Sequence, residues 1–237
     1  MRRLIAHETL AAPHIGNDTQ VTLPIVVLIS GTGSNLRAVH QAIVSGQCDA
    51  RICAVVSDRR SAGGLSYASE HGLPTRVVLM RDFQDRAAWD HALAEVVASY
   101  KPRLVVLAGF MRIVSPSFVT RFPNEIINVH PALLPSFPGA SGPEHAIEAG
   151  VRLSGCTVHI VDQGVDTGPI LAQAAVRVLP SDDAKSLHTR IQKAEHQLLP
   201  QVIDAIARGQ IELGDPPRLR HDVTSDEAIF PSIPPDS

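Results

Sequence analysis

The sequence predicts an α/β protein, built as a single doubly wound domain in which helices cover both faces of a mostly parallel sheet. Short apolar runs rich in β-branched residues recur between Pro24 and Pro131, and stretches with helical spacing separate them. This alternation is typical of βαβ units. The runs are mostly apolar at successive positions, which indicates strands buried on both faces, as in a parallel sheet.

Strands and helices alternate in the first half of the chain. The apolar, β-branched runs predict strands at Ile25–Ile29, Ile52–Val56, Arg76–Leu79, Leu104–Leu107 and Ile126–Val129. Apolar residues at helical intervals predict helices at Leu36–Val44, Leu65–His71, Asp85–Tyr100 and Pro116–Arg121. Each predicted helix thus connects two strands.

The pattern changes after the fifth predicted strand. Leu133–Gly142 is rich in Pro, Gly and Ser, which predicts a loop of the size found at active sites. Two more strands are expected at Leu153–Val161 and Ile170–Val178. A last amphipathic helix is expected at Asp183–Arg208, and Pro200 should kink or divide it.

We expect one folded domain at residues 24–210. Residues 1–23 mix polar and apolar types with no sustained period, which predicts a disordered N-terminal extension. Residues 211–237 carry several prolines among charged residues, which predicts an irregular C-terminal tail.

The composition indicates a cytoplasmic protein that binds neither nucleic acid nor a membrane. A net charge of −3 over 237 residues disfavours a broad nucleic-acid-binding face. Cys48, Cys53 and Cys156 are scattered without CxxC spacing, which indicates reduced thiols. The sequence shows neither an apolar stretch long enough to span a bilayer nor a secretory signal.

A glycine loop, Ser30–Asn35 (SGTGSN), joins the first predicted strand to the first predicted helix. Glycines at such a junction let backbone N–H groups converge on an anion, and the helix N-terminus adds a positive dipole. Ser34 or Asn35 can also cap the helix. The loop lacks the lysine of a Walker A motif and the third glycine of GxGxxG, so a mononucleotide-like phosphate is expected. The alternative is a tight turn and a capped helix without a ligand.

Asn128 and His130 lie two positions apart at the end of the fifth predicted strand, so their side chains share a face. Polar residues that close an apolar strand are costly unless they are paired or functional. An amide donor beside a titratable imidazole suits acyl transfer to an amine. A structural histidine with a satisfied hydrogen bond is the alternative.

Asp166 is a candidate partner for His130. It lies between Gly164 and Gly168 in a turn-rich segment, and a carboxylate there can orient the charged imidazole. The alternative is that Asp162 and Asp166 are ordinary turn formers.

Two other chemistries have little support in the sequence. Covalent catalysis is disfavoured because there is no GxSxG motif and no cysteine next to a histidine in a glycine turn. A metal site with His130 and His159 would need further ligands at suitable spacing, and none is evident. No metal is therefore expected.

Five segments together resemble those of the glycinamide ribonucleotide formyltransferases, a folate-dependent family of purine biosynthesis, over roughly Ile25 to Gly209. They are Ile29–Leu36 (ISGTGSNL), Leu107–Ile113 (LAGFMRI), Asn128–Pro135 (NVHPALLP), Asp162–Pro169 (DQGVDTGP) and Ala194–His196 (AEH). The NxHP and LLP segments occur across folate formyl enzymes, whereas the SGTGSN loop is typical of the ribonucleotide enzymes. The resemblance implies the formyltransferase fold for residues 24–210.

The resemblance also implies roles for individual residues. Asn128, His130 and Asp166 match the catalytic trio. Residues that match the substrate site are Gly33, Ser34, Asn35, Gln192 and Glu195. Residues that match the folate site are Arg86, Leu107, Met111, Arg112, Ile113, Val114, Asp162 and Gly164. Among these, Arg86 matches a position that meets the glutamate tail of the folate, with Arg112 as a second candidate.

The implied reaction moves the formyl group of 10-formyltetrahydrofolate, a co-substrate, onto the primary amine of glycinamide ribonucleotide. Asn128 and protonated His130 would stabilise the oxyanion, while Asp166 supports the imidazolium. The products are N-formylglycinamide ribonucleotide and tetrahydrofolate. These small molecules are the expected partners, and a homodimer is left open.

One position departs from the family pattern. Ser141 stands two residues after Gly139, where many relatives carry a histidine. The competing hypotheses are a folate hydrolase, a transferase to a different amino sugar, and a nucleotide-binding protein without activity. A hydrolase would have no use for the phosphate loop, and a protein without activity would be expected to lack a member of the trio.

Overall fold

The computed structural model describes residues 22–214 and 216–219. In this part of the chain, the strands of the main sheet are β1 (Leu23–Ile29), β2 (Ala50–Ser57), β3 (Thr75–Val77), β4 (Leu104–Leu107), β5 (Ile126–His130), β6 (Leu153–Ile160) and β7 (Ile170–Arg177). The helices are α1 (Ser34–Val44), α2 (Gly63–Glu70), α3 (Arg86–Ser99), α4 (Pro116–Arg121), α5 (Gly142–Glu148) and α6 (Ala184–Ala207), with a short 3-10 helix at Met80–Asp82.

The order of strands in the main sheet is β3-β2-β1-β4-β5-β6-β7. The first five strands in this order are parallel to one another, whereas β6 is antiparallel to both β5 and β7. The prediction of a mostly parallel sheet is therefore confirmed. Because the chain proceeds from β1 in one direction and from β4 in the other, a crevice forms where these two neighbouring strands end. Ligands of open α/β sheets bind at such switch points.

Each face of the sheet carries its own core. Ile25, Val27 and Ile29 of β1 belong to a cluster that includes residues of α1, α2 and α6. Val26 and Leu28 belong to a second cluster, which includes residues of α3 and α4. This alternation follows from the two-residue period of a strand, and it confirms helices on both faces.

Several helices begin at a side chain that caps the first turn. Asp85 accepts the Ala88 N–H at 2.8 Å, Ser115 accepts the Phe118 N–H at 3.3 Å, and Asp183 accepts the Ser186 N–H at 2.7 Å. Such caps satisfy backbone donors that have no partner within the helix. They account for the close match between the predicted and observed starts of α3, α4 and α6.

Within the domain, the structure differs from the predictions at three points. The third strand is shorter than expected, because Met80–Asp82 turns into a 3-10 helix, and α5 was not predicted. Pro200 does not divide the last helix, since α6 continues from Ala184 to Ala207. Pro200 and its neighbours Leu198 and Leu199 are buried, so packing compensates for the backbone hydrogen bond that proline cannot make.

The predicted ends of the domain also need correction. Leu23 was placed in the extension, but it is buried in β1 and pairs with Ala50. The tail was predicted to be irregular from residue 211, yet β8 (Ile211–Glu212) pairs with β9 (Arg218–Leu219) in antiparallel fashion. Residues 1–21, 215 and 220–237 lie outside the described residues. In the part that is described, no helix has the length and apolar character needed to cross a membrane.

Candidate active site

The glycine loop lies at the carboxyl end of β1, at the switch point of the sheet. Gly33 is the N-cap of α1 and has a positive φ of 75°. A Cβ added at Gly33 would lie 2.6 Å from the Gly64 Cα, so the approach of α2 also requires glycine there. The sequence had indicated that Ser34 or Asn35 caps α1. This prediction is wrong, because the two residues form the first two positions of the helix. Their backbone N–H groups belong to the set that has no acceptor within the helix.

Asn35 connects the glycine loop to α6. Its Nδ2 donates to Glu195 Oε2 at 2.9 Å, and both residues are buried. Asn35 Oδ1 is also buried and has no hydrogen-bond partner within the described residues. Burial raises the pKa of the Glu195 carboxyl to about 7, and the hydrogen bond from Asn35 opposes that rise. Gln192 lies one turn before Glu195 on α6, with its side chain partly exposed.

The structure brings the three candidate catalytic residues together. The closest atoms of the His130 and Asp166 pair are Nδ1 and Oδ2, at 3.3 Å. Asn128 Nδ2 donates to the other oxygen of Asp166, Oδ1, at 3.5 Å. Asp166 thus faces both residues from the loop that follows β6, and it is more than a turn former.

His130 has acceptors at both ring nitrogens. Its Nε2 lies 2.8 Å from the carbonyl oxygen of Phe137, and its Nδ1 faces Asp166. A doubly protonated imidazolium can donate to both of these acceptors. A substrate atom that accepts a hydrogen bond from an N–H of His130 must therefore displace either the Phe137 carbonyl or Asp166 from that nitrogen.

Asp166 is held in its ionised form by several donors. Burial by itself would raise the pKa of its carboxyl. Hydrogen bonds from His159 and from the Gly139 N–H, together with the charge of His130, outweigh burial and keep this pKa below its ordinary value. The Gly139 bond is 2.8 Å long, so Asp166 also fixes the Leu133–Gly142 loop.

His159 belongs to the same cluster, although the sequence had named it only as a possible metal ligand with His130 and not as a partner of Asn128 or Asp166. The register of β5 and β6 places His159 opposite Asn128, and its Nε2 lies 3.2 Å from Asn128 Nδ2. The same nitrogen lies 3.4 Å from Asp166 Oδ1. A histidine within the mostly apolar β6 is a signal that the sequence alone shows. The identity of its partner, however, depends on the register between β5 and β6. Within residues 22–214 and 216–219, no group of three or more His, Cys, Asp or Glu side chains is arranged so that it could hold a metal ion.

A cavity of about 490 Å³ opens beside the trio. Its wall includes most of the predicted folate residues and all three catalytic candidates: Leu107, Met111, Arg112, Ile113, Val114, Asn128, His130, Asp162, Gly164 and Asp166. Met111 and Ile113 are 68% and 65% exposed, whereas Leu107 and Val114 are buried. The cavity therefore has an apolar side formed by the segment after β4 and a polar side formed by the trio.

Asp162 and Arg86 have structural partners of their own. Asp162 Oδ1 accepts hydrogen bonds from Thr167 Oγ1 at 2.8 Å and from the Gly164 N–H at 3.0 Å, as a turn former does. Arg86 does not line the cavity. Its Nε bonds to Asp90 at 2.9 Å, and its Nη2 donates to the carbonyl of Ile113.

The predicted ribonucleotide residues lie outside this cavity lining, but α6 connects the two regions. His188 lines the cavity, and it precedes Gln192 by four residues and Glu195 by seven. This spacing places the three side chains on one face of the helix. Ser141 and Glu144 also line the cavity, and the sequence pattern had not assigned Glu144 or His188 to the site.

Comparisons with known proteins agree with this geometry. A model of the formyl transferase family matches residues 23–203. Phosphoribosylglycinamide formyltransferase of Mycobacterium tuberculosis (strain ATCC 25618 / H37Rv) is 48% identical over 183 residues, or 77% of this chain and 84% of that protein. The bovine trifunctional purine biosynthetic protein adenosine-3 is 41% identical over 82% of this chain, which spans only 19% of that longer protein.

Solved structures show the same fold. Glycinamide ribonucleotide transformylase 1 from Symbiobacterium toebii superposes with a TM-score of 0.81 at 43% identity, covering 84% of this chain and 94% of that one. A formyltetrahydrofolate deformylase from Pseudomonas syringae pv. tomato str. DC3000 gives a TM-score of 0.77 at 26% identity, covering 84% of this chain and 66% of that one. The chain belongs to the formyl transferase family, among the phosphoribosylglycinamide formyltransferases.

Proposed function

We propose that this protein transfers the formyl group of 10-formyltetrahydrofolate to the primary amine of glycinamide ribonucleotide, as a folate-dependent enzyme of purine biosynthesis. The observation that carries the proposal is the contact of Asp166 with both His130 and Asn128, at the wall of a cavity large enough for a folate ring system. The products are N-formylglycinamide ribonucleotide and tetrahydrofolate.

The glycine loop and α6 bind the ribonucleotide in this proposal. Backbone N–H groups of Gly33, Ser34 and Asn35 at the N-terminus of α1 hold the phosphate, since such a terminus favours anions. Gln192 and Glu195 contact the phosphate and the ribose. A hydroxyl group of the ribose suits the buried Asn35–Glu195 pair, because it can donate to the unpartnered Asn35 Oδ1 or to the Glu195 carboxylate.

The folate binds in the cavity after β4. Its pterin ring packs on Leu107, Met111, Ile113 and Val114, and its polar edge bonds to the backbone near Arg112 and to the Asp162–Asp166 loop, which includes Gly164. Such an apolar wall with a few polar groups is typical of small-molecule sites. Arg86 and Arg112 meet the carboxylates of the glutamate tail, because guanidinium groups pair well with carboxylates.

The chemistry follows from this placement. The neutral amine of the ribonucleotide attacks the formyl carbon on N10 of the folate, and negative charge develops on the formyl oxygen. Asn128 Nδ2 and an N–H of His130 donate to that oxygen, and Asp166 stabilises the imidazolium. The proton lost by the amine reaches N10 through His130 and Asp166, directly or through water. Holding both substrates in one crevice contributes much of the rate acceleration.

The competing function is hydrolysis of the formyl folate. The Asn35–Glu195 contact argues against it, because it builds a buried polar pair next to a phosphate loop that a hydrolase does not need. Transfer to an amine also requires the second substrate to lie beside the trio, and α6 provides a continuous face from His188 to Glu195 for it.

Turnover assays distinguish these functions. The protein is mixed with 10-formyl-5,8-dideazafolate, and absorbance of the deformylated product is followed with and without glycinamide ribonucleotide. The proposal expects product only when the ribonucleotide is present. Equal rates in its absence identify a hydrolase, and no product under either condition identifies a protein without this activity.

The finer statements about partners and location are part of the same proposal. The enzyme acts on small molecules in the cytoplasm, without nucleic acid or a membrane, and a homodimer is a hypothesis that analytical ultracentrifugation checks. Residues 1–21 and 220–237 carry no assigned role.

A further inference from the structure

A buried hydrogen-bond network joins the ends of three neighbouring strands. Ser30 Oγ, at the end of β1, donates to Asp58 Oδ1 at 2.6 Å and accepts the N–H of Met111 at 2.8 Å. Asp58 follows β2, and its second oxygen, Oδ2, accepts from Arg112 Nε at 2.8 Å. We call these four residues the Asp58 network.

The centre of the network, Ser30 and Asp58, is enclosed by protein, whereas the side chains of Met111 and Arg112 reach the surface. The side chain of Asp58 is fully buried, and Ser30 is 4% exposed. A buried carboxylate is costly unless donors surround it, so the positions of its donors are tightly coupled to one another. Here one hydrogen-bond donor, Ser30, lies at the start of the glycine loop, and another, Arg112, lies in the segment Met111–Val114. Arg59, which is half exposed, forms a longer ion pair with Asp58 Oδ2 at 3.7 Å.

The Met111–Val114 segment is anchored in the core at Val114, but its first three residues are partly or largely exposed. Met111 and Ile113 expose 68% and 65% of their surface, so packing holds them only in part. Its backbone is tied down by the Met111 N–H bond to Ser30 and by the bond from Arg86 to the Ile113 carbonyl. Removal of the Asp58 network therefore frees one end of the segment.

We propose that Asp58 and Ser30 are positioning residues that hold the Met111–Val114 segment in the conformation that binds folate, beside the glycine loop. The inference rests on the proposed function, because it takes this segment to be the folate site. Asp58 acts through Arg112 and Ser30 acts through the Met111 N–H, and neither residue touches the reacting atoms. Loss of either residue weakens folate binding selectively, while the Asn35–Glu195 pair keeps its contacts with the ribonucleotide.

The test compares Asp58→Asn and Ser30→Ala with the parent enzyme. We expect KM for the formyl folate to rise about 10- to 100-fold, the range for loss of a charge-assisted hydrogen bond, with KM for the ribonucleotide changing far less. Binding of 10-formyl-5,8-dideazafolate, measured by calorimetry, should weaken by the same factor. The matched control is Asp204→Asn, because Asp204 pairs with Arg208 at 2.7 Å and binds the Asp49 N–H just before β2, at the opposite end of the strands.

A double-mutant cycle separates positioning from general destabilisation. In an Arg112→Ala background, Asp58→Asn should raise the folate KM by a smaller factor than in the parent, since its partner is already gone. Thermal unfolding of each variant shows whether it is folded at the assay temperature. If Asp58→Asn is unfolded there, the folate KM of Ser30→Ala tests the inference.

Two results would overturn the inference: an unchanged folate KM in folded variants, or an equal rise of both KM values. Failure of the proposed function looks different, because the parent itself would then show no formyl transfer.

Discussion

Antiparallel pairing of β5 and β6 places His159 opposite Asn128, with 3.2 Å between Nε2 of the histidine and Nδ2 of the amide. The Nδ1 of His159 lies 2.9 Å from the carbonyl oxygen of Ile160. An N–H at Nδ1 donates to that carbonyl, so Nε2 is the nitrogen that faces both the Asn128 amide and Asp166 Oδ1. Without a proton, Nε2 accepts from the Asn128 amide, and with a proton it donates to Asp166. His159 therefore orients the amide that the proposed mechanism uses as a donor.

Replacement of His159 should lower turnover without abolishing either binding site. His159→Phe keeps a planar aromatic ring at this position but leaves Asn128 Nδ2 and Asp166 Oδ1 without this partner. We expect kcat to fall about 10- to 100-fold, the effect of leaving buried polar groups unsatisfied, with small changes in both KM values. Steady-state kinetics checks this, with His71→Phe on the surface as the control. A kcat equal to that of the parent would show that Asn128 is oriented by other contacts.

Replacement of His130 tests the acid–base role directly. His130→Ala should lower kcat by about two to four orders of magnitude, the usual contribution of a general acid–base group. Ribonucleotide affinity, measured by calorimetry, should stay close to that of the parent, because Asn35 and Glu195 lie outside the cavity that His130 lines. His145→Ala on α5 is the control, since this exposed histidine is not part of the cavity wall. Parent-like turnover in His130→Ala would mean that the trio is misassigned.

A negative charge at Asn35 should weaken ribonucleotide binding. Asn35→Asp places a carboxylate beside the proposed phosphate site at the N-terminus of α1. It also replaces the Nδ2 that donates to Glu195 Oε2 at 2.9 Å with an oxygen. We expect KM for the ribonucleotide to rise about 10- to 100-fold, with little change in KM for the folate. Gln41→Glu adds the same charge to an exposed position of α1 and should have little effect. An unchanged KM in Asn35→Asp would remove the phosphate assignment.

Glu195 should make the stability of the protein depend on pH. Burial raises the pKa of its carboxyl from 4.5 to about 7, so the folded state binds a proton more tightly than the unfolded state. The stability that Glu195 contributes is fully present below the pKa of its carboxyl in the unfolded state. It is lost as pH rises through the pKa of the same carboxyl in the folded state. The slope between these values is at most about 1.4 kcal/mol per pH unit.

Urea unfolding at pH 5 and pH 8 measures this effect. The parent should lose more free energy of unfolding across this interval than Glu195→Gln, which has no proton to release. Glu144→Gln removes an exposed carboxylate and should behave like the parent. The same pH dependence in Glu195→Gln and the parent would show that Glu195 is ionised throughout.

Local sequence patterns predicted most of the fold. The β-branched runs of β1, β2, β4 and β5 were identified because their burial on both faces leaves a continuous apolar signal. The helix α5 was missed, since it is only seven residues long and begins with Gly142 and Pro143 directly after a Pro-rich loop. Its buried Ala146 shows that packing stabilises it, and packing has no local signature.

The site was predictable where residues are close in sequence or belong to a known motif. Asn128 and His130 share a face by spacing alone, and Asp166 was a candidate by its position between glycines. The contacts of His159 and Asp58 were not predicted, because their partners come from other strands; His159 had been weighed only as a metal ligand. Only the register of β5 and β6 brings His159 to Asn128, and only the order β2-β1-β4 brings Asp58 to Ser30 and Met111.

The switch point between β1 and β4 also has a consequence for folding. These neighbouring strands are far apart in sequence, so their pairing closes a long loop that contains β2, β3, three α-helices and a 3-10 helix. Non-local pairing of this kind is slow compared with helix formation. Since the crevice exists only after β4 joins β1, an early intermediate with β1, β2 and β3 in place would bind neither substrate. Ligand binding during refolding would therefore report the closing of the sheet at its centre, rather than the formation of its first strands.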